Sequence, residues 1–238
     1  MPASVLAGPF LRMAQGENAT NEKNTSLGRV CHPHGWGAVL ATVRGPARIR
    51  SARPCWEDDA FSAVRSSSVC LLHARLASSG GLDTARAHPF EAEVAGATWW
   101  FCHNGTLFDE PEDGTDASDS ERFFRRMAPL LEREDPVRAF EWTASSLSRI
   151  TALNALLLGP DGLWAFCVWA DPRCREYYTL VWADTAYGVL VASEPLPDVA
   201  PRFARCENGQ ALFVPATIGA EVRTVPLRLP PALTRAVA

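Results

Sequence analysis

The 238-residue sequence predicts a layered α+β fold. Three observations lead to that reading: strand-like runs between residues 35 and 105, two neighbouring amphipathic helices between 118 and 150, and further strand-like runs between 155 and 216. Strands and helices do not alternate one for one, so a parallel sheet of βαβ units is not expected.

Residues 4–15 read as a short helix, followed by the polar loop "GENATNEKNTSLGRV", rich in Asn and Thr. "GWGAVLATV" and "ARIRSAR" read as two strands of a hairpin turning at Gly45-Pro46. "WEDDAFSAV" is a short helix candidate, "SSVCLLHARL" a strand, and "DTARAHPFEAEV" a loop leading to a strand that precedes the next one, "ATWWFCHNG". In "SDSERFFRRMAPLLERE", Ser118 or Asp119 can cap a helix whose Phe123, Phe124, Met127, Leu130 and Leu131 form a stripe at helical spacing. "DPVRAFEWTASSLSRI" repeats the pattern, with Asp135 as cap and Pro136 at the first helical position. Only strands follow: "ALLLGP" and "LWAFCVWA" around a Pro-Asp-Gly turn, then "YYTLVWAD", "GVLVASE" and "ALFVPA". No repeat or interdomain linker stands out, so residues 1–238 are expected to form one domain.

Composition narrows the function classes. Lys plus Arg number 23 against 27 Asp plus Glu, a net charge of −4 that is no footprint for nucleic acid or an anionic membrane. Seven cysteines without CxxC spacing indicate neither a disulfide framework nor a zinc knuckle, and a reducing cytoplasm is the expected home. The N-terminus lacks the basic-then-apolar pattern of a signal peptide, and Gly159-Pro160-Asp161-Gly162 interrupts the most apolar stretch before it reaches membrane-spanning length.

Taken singly, the polar clusters have structural explanations. His73 and Arg75 lie two apart on an apolar strand and share a face, as a hydrogen-bonding or ion-pairing device would. His88-Pro89-Phe90 reads as a packed turn, Asp119 as a helix cap, and Asn104-Gly105 as a turn that tolerates positive φ. Cys31, His32 and His34 lack the second ligand cluster a metal site needs. No metal and no cofactor are expected.

In order, however, "HPHGWG", "LLHARLASSGG", "AHPF", "WWFCHNGTL", "SDSERFF" and "VASEPL" resemble the class II glutamine amidotransferases, in particular their stand-alone members. The resemblance spans roughly residues 30 to 215. It implies an N-terminal-nucleophile hydrolase fold, a four-layer αββα sandwich of two mostly antiparallel sheets, here with its first strand missing. It also implies roles. Asn104 and the Gly105 N–H match the oxyanion hole. Arg75 matches the clamp on the α-carboxylate, where a planar guanidinium suits bidentate binding. Asp119 matches the carboxylate that receives the α-ammonium, and His88 a loop residue beside the substrate.

The departure is at the front. The family's nucleophile is a Cys exposed as residue one, whose α-amino group serves as the general base. Here the chain begins Met1-Pro2-Ala3-Ser4, and removal of Met1 exposes a secondary amine without a nucleophilic side chain. Cys31, Cys70 and Cys102 are poor substitutes, the last two reading as core residues within strands.

Three readings therefore stand. The first is a glutaminase-type domain that yields glutamate and ammonia when an upstream Cys is present, with ammonia passing to a separate acceptor protein. The second is an inactive relative that binds glutamine or a related small amino-acid derivative. The third is an interaction domain without a ligand.

Overall fold

The computed structural model describes residues 1–17, 30–77, 81–217 and 219–234, so most of the predicted polar loop at 16–30 lies outside the described residues. The chain divides into two compact units, Met1–Pro89 with Val181–Ala204, and Phe90–Leu180 with Arg205–Ala238.

Helix α1 (Ala3–Ala14) opens the first unit and buries Ala3, Leu6, Ala7, Phe10 and Ala14, the single apolar face that its spacing predicts. Strands β1 (Trp36–Thr42) and β2 (Gly45–Ser51) form the expected hairpin. A one-turn helix, α2 (Ser62–Arg65), precedes β3 (Ser68–Ala74), and β1 pairs antiparallel with both β2 and β3. Burial follows from that central place: Trp36 to Leu40 of β1 are all buried. Trp36 meets Phe61 edge-on at 5.0 Å, Phe61 stacks on Phe10 at 6.1 Å, and the Trp36 indole donates to Asp58 at 3.0 Å.

The second unit begins with β4 (Phe90–Val94) and β5 (Ala97–Asn104), followed by α3 (Asp119–Met127) and α4 (Pro136–Ala144). Strands β6 (Asn154–Gly159) and β7 (Gly162–Cys167) and the one-turn α5 (Arg175–Tyr178) come next. The chain then returns to the first unit with the antiparallel pair β8 (Val181–Thr185) and β9 (Gly188–Ala192). After the two-residue β10 (Ala204–Arg205), β11 (Gln210–Pro215), β12 (Arg223–Pro226) and the short α6 (Pro231–Thr234) complete the second unit. Its six-stranded antiparallel sheet has the order β12-β11-β7-β6-β5-β4.

That order places β5 and β6 side by side beneath the helices. Phe101 of β5 stacks on Phe124 of α3 at 5.1 Å, and Phe140 of α4 stacks on Phe166 of β7 at 3.9 Å. The antiparallel α+β expectation therefore holds, with three local corrections. The helix predicted over 118–134 is α-helical only to Met127 and continues as a 3-10 turn over Ala128–Glu132, because Pro129 has no N–H for the α-helical ladder. The strand predicted from Tyr177 begins at Val181, since Arg175–Tyr178 is a helical turn following a 3-10 segment capped by Asp171. Cys70, read as core, is exposed on β3.

Phe140 is fully buried between Phe123 and Phe166. Phe140→Ala is expected to lower the unfolding free energy by about 3–5 kcal/mol, the usual effect of deleting a core aromatic ring, as read from denaturant midpoints.

Candidate functional site

The predicted site residues fall in two groups. Asn104, Gly105 and Asp119 belong to the second unit, Arg75 and His88 to the first.

In the second unit, β5 pairs with β6 as far as Asn104, which lies opposite Asn154. Gly105 then adopts φ +135, and a Cβ there would lie 2.0 Å from the Ala152 carbonyl oxygen. Only glycine can take that conformation in that space. The chain beyond is fastened to the segment before β6. The Thr106 N–H donates to Thr151 Oγ1 at 2.9 Å, the Thr151 N–H to the Thr106 carbonyl at 3.0 Å, and the Phe108 N–H to the Arg149 carbonyl at 3.1 Å.

Asp119 joins the same loop from the helix side. Ser118, not Asp119, is the N-cap of α3, with its hydroxyl accepting from the Glu121 N–H at 3.2 Å. Asp119 is the first helical residue. It is buried, and its carboxylate accepts the Leu107 N–H and the Ser120 N–H, each at 2.8 Å. The helix N-terminus adds a favourable field for its negative charge. Asp119 is thus tied two residues beyond Gly105, so the second unit brings Asn104, Gly105 and Asp119 together.

His103 completes this arrangement, a role that sequence reading missed. It is buried, with Nδ1 2.7 Å from Ser120 Oγ and Nε2 3.2 Å from the Ala152 carbonyl. The carbonyl can only accept, so Nε2 carries the proton and Nδ1 accepts from the serine hydroxyl. Burial holds this imidazole below its ordinary pKa, against the opposing pull of Asp119 and the Ala152 carbonyl. A neutral ring therefore joins the strand end, the start of α3 and the carbonyl that packs against Gly105.

Glu110 is a second buried group in this loop, 3.1 Å from Arg126 Nε. Burial pushes its carboxyl up to about 7, despite the guanidinium groups of Arg126 and Arg122.

In the first unit, Arg75 follows β3 directly and is buried. Its N–H donates to the Gly35 carbonyl at 2.9 Å, its carbonyl accepts from the His34 N–H at 3.0 Å, and its guanidinium donates to the Gly81 carbonyl at 3.0 Å. His73, on the same strand face, packs its ring against that of His88, with centroids 4.3 Å apart. Gly37 lies opposite His73 in the β1–β3 register, and a Cβ there would meet the His88 carbonyl oxygen at 2.2 Å. The glycine of the GWG motif is therefore required for the close approach of the His88 segment. Its signal was legible only as a repeated small residue in the motif.

The buried cysteines are ill suited to act as nucleophiles. Burial pushes the thiols of Cys55 and Cys206 up to about 12, that of Cys167 to about 11, and raises that of Cys102 as well. Among the described residues no group of three or more His, Cys, Asp or Glu could hold a metal ion, and no helix is long and apolar enough to cross a membrane.

The sequence profile of the class-II glutamine amidotransferases matches residues 23–167, more than half of the chain. The chain belongs to that family. A provisionally named glutamine amidotransferase of Haemophilus influenzae is 26% identical over 156 residues, 58% of this chain and 53% of the relative. The chain thus spans about half the length of that curated relative. Among solved structures, a glutamine aminotransferase class-II domain protein from Silicibacter pomeroyi superposes with a TM-score of 0.59 at 20% identity, covering 82% of this chain and 92% of that one. The allosteric regulatory enzyme of purine biosynthesis superposes with a TM-score of 0.64 at 14% identity, covering 93% of this chain and 47% of that one. At these identities the likeness establishes a shared class II amidotransferase fold.

The neutral, buried state of His103 has a consequence for acid stability. Its folded pKa lies below the unfolded value of about 6.5, so on acidification the unfolded chain takes up this proton first. The stability present above pH 6.5 is therefore lost as pH falls below it, by up to about 1.4 kcal/mol per pH unit for one such group. His103→Asn should flatten the fall between pH 6.5 and 5 in urea titrations, and an unchanged slope would contradict the neutral assignment.

Proposed function

We propose that this chain is a glutamine-binding amidotransferase domain that cleaves the side-chain amide to glutamate and ammonia when a cysteine nucleophile is supplied ahead of Met1. The observation that carries this reading is the strand end at Asn104-Gly105, where Asn104 makes the last sheet pairing, Gly105 turns out of it in a space only glycine fits, and Asp119 is fastened to the same loop.

In this reading Arg75 receives the α-carboxylate, Asp119 the α-ammonium, and His88 lines the substrate position. Asn104 and the Gly105 N–H stabilise the oxyanion that forms when a thiolate attacks the amide carbonyl. The tetrahedral intermediate collapses with loss of ammonia to a thioester, and water then releases glutamate. Preset donors count because their orientation costs nothing as the charge develops. An acceptor for ammonia would be a separate protein.

The start of α1 bears on where the nucleophile would come from. Pro2 bridges antiparallel to Ser68, and the Ala3 N–H donates to the Ser67 carbonyl at 2.9 Å. A preceding segment that continued this pairing would run along β3 toward His73 and Arg75, within the same unit. An N-terminal Cys on such a strand would approach the carboxylate clamp.

A second reading is an inactive relative that binds glutamine or a related small amino-acid derivative through the same residues. One pair of measurements separates the two. The purified 238-residue chain is expected to bind glutamine in calorimetry and to release no ammonia, and Arg75→Ala should weaken binding about 100-fold by removing a buried charge-assisted pair. Ammonia release that Asn104→Ala abolishes would show that a nucleophile already lies within the chain. Undiminished binding by Arg75→Ala would refute the clamp.

A further inference from the structure

His34 stands in the "HPHGWG" motif and belongs to no cluster that could hold a metal among the described residues. Its contacts point elsewhere. The His34 N–H donates to the Arg75 carbonyl at 3.0 Å, the Arg75 N–H donates to the Gly35 carbonyl at 2.9 Å, and His34 Nδ1 accepts the Ala77 N–H at 3.0 Å. His34 thus holds the Arg75 carbonyl through its backbone and the chain two residues further on through its side chain, while its neighbour Gly35 accepts the Arg75 N–H.

We infer that His34 is a positioning residue for Arg75, its imidazole Nδ1 pinning the backbone at Ala77 just after the residue from which the guanidinium extends. The inference rests on the reading of Arg75 as the carboxylate clamp.

The chemistry of the contact is specific. Beyond Ala74 the β1–β3 pairing ends, and the chain needs another acceptor for the Ala77 N–H as it leaves the sheet. An imidazole supplies one only when Nδ1 carries no proton, which assigns the Nε2–H tautomer. The Arg75 guanidinium donates to the Gly81 carbonyl, six residues on, so hydrogen bonds hold both its fork and, through His34, the backbone just after it. A bidentate grip on a carboxylate tolerates little angular error, and a backbone free to shift by a fraction of an ångström at Arg75 would spoil it.

The prediction concerns glutamine affinity by calorimetry in four chains. His34→Leu keeps bulk but removes the acceptor, and is expected to weaken binding about tenfold, the loss typical of one hydrogen bond whose donor is left unpaired. His34→Asn, whose Oδ1 lies near the place of Nδ1, should restore binding to within about threefold of wild type on the same reasoning. In an Arg75→Lys background, His34→Leu should have a clearly smaller effect, because the fork it orients is gone. Equal losses in both backgrounds, failure of His34→Asn to rescue, or unaltered binding by His34→Leu would overturn the inference.

If wild-type chain does not bind glutamine, the reading of Arg75 fails while the contact itself stays open to a direct test. Nitrogen NMR should show His34 as the Nε2–H tautomer with a slowly exchanging Ala77 amide. A protonated Nδ1 or a rapidly exchanging Ala77 amide would overturn the inference independently.

Discussion

The contact on which the candidate site depends is between Gly105 and the Ala152 carbonyl. The strand β5 can turn away from β6 at Asn104 only because residue 105 has no side chain, with φ +135 and no room for a Cβ. The same carbonyl accepts from His103 Nε2, so one oxygen both limits what may follow the strand and holds its last residue but one. From there the constraint spreads outward. His103 reaches Ser120, Ser120 adjoins Asp119, and Asp119 returns to Leu107. Each polar group in this ring is satisfied by another, which is what a buried polar network requires if it is to stabilise a single arrangement.

The first unit solves a comparable problem with a sheet rather than a helix. Central β1 is buried along most of its length, and glycines in it and just before it admit backbone where side chains would stand: Gly37 admits the His88 segment, and Gly35 packs against Ser51 and Ala52. Arg75 then emerges just past the end of β3, tethered by its own N–H and carbonyl to residues 34 and 35. A buried guanidinium costs desolvation unless it is hydrogen-bonded, and the Gly81 carbonyl accepts one of its N–H groups. In both units, polar side chains with roles assigned by family resemblance are positioned by backbone interactions formed on folding.

Much of the fold was legible in the sequence because its signals are local. The short helix at residues 4–15, the Gly45 turn, the Asp135-Pro136 start of α4 and the Gly159–Gly162 turn each carry their instructions within a few residues. The 3-10 tail of α3 and the helical turn at Arg175–Tyr178 were not, since aromatic and apolar runs do not distinguish a short helix from a strand start. β12 is four residues of mostly exposed chain and exists through its partner β11. For the candidate site, ordered motifs single out Asn104, Gly105, Asp119 and Arg75, whereas nothing in the sequence marks the residues that support them. His34 finds its partner 43 residues away, and His103 finds an acceptor 49 residues away, separations at which spacing carries no information. Asp119 was open to reading as a cap because Ser and Asp are interchangeable there, and only the geometry assigns the cap to Ser118.

The central claim is that the strand end at Asn104-Gly105 is an oxyanion-binding element for glutamine. The most direct measurement follows the Gly105 backbone amide and the Asn104 side-chain amide by NMR as glutamine is added. The account predicts saturable shifts at both resonances, with a common dissociation constant. Glutamine binding that leaves both resonances unmoved would contradict it.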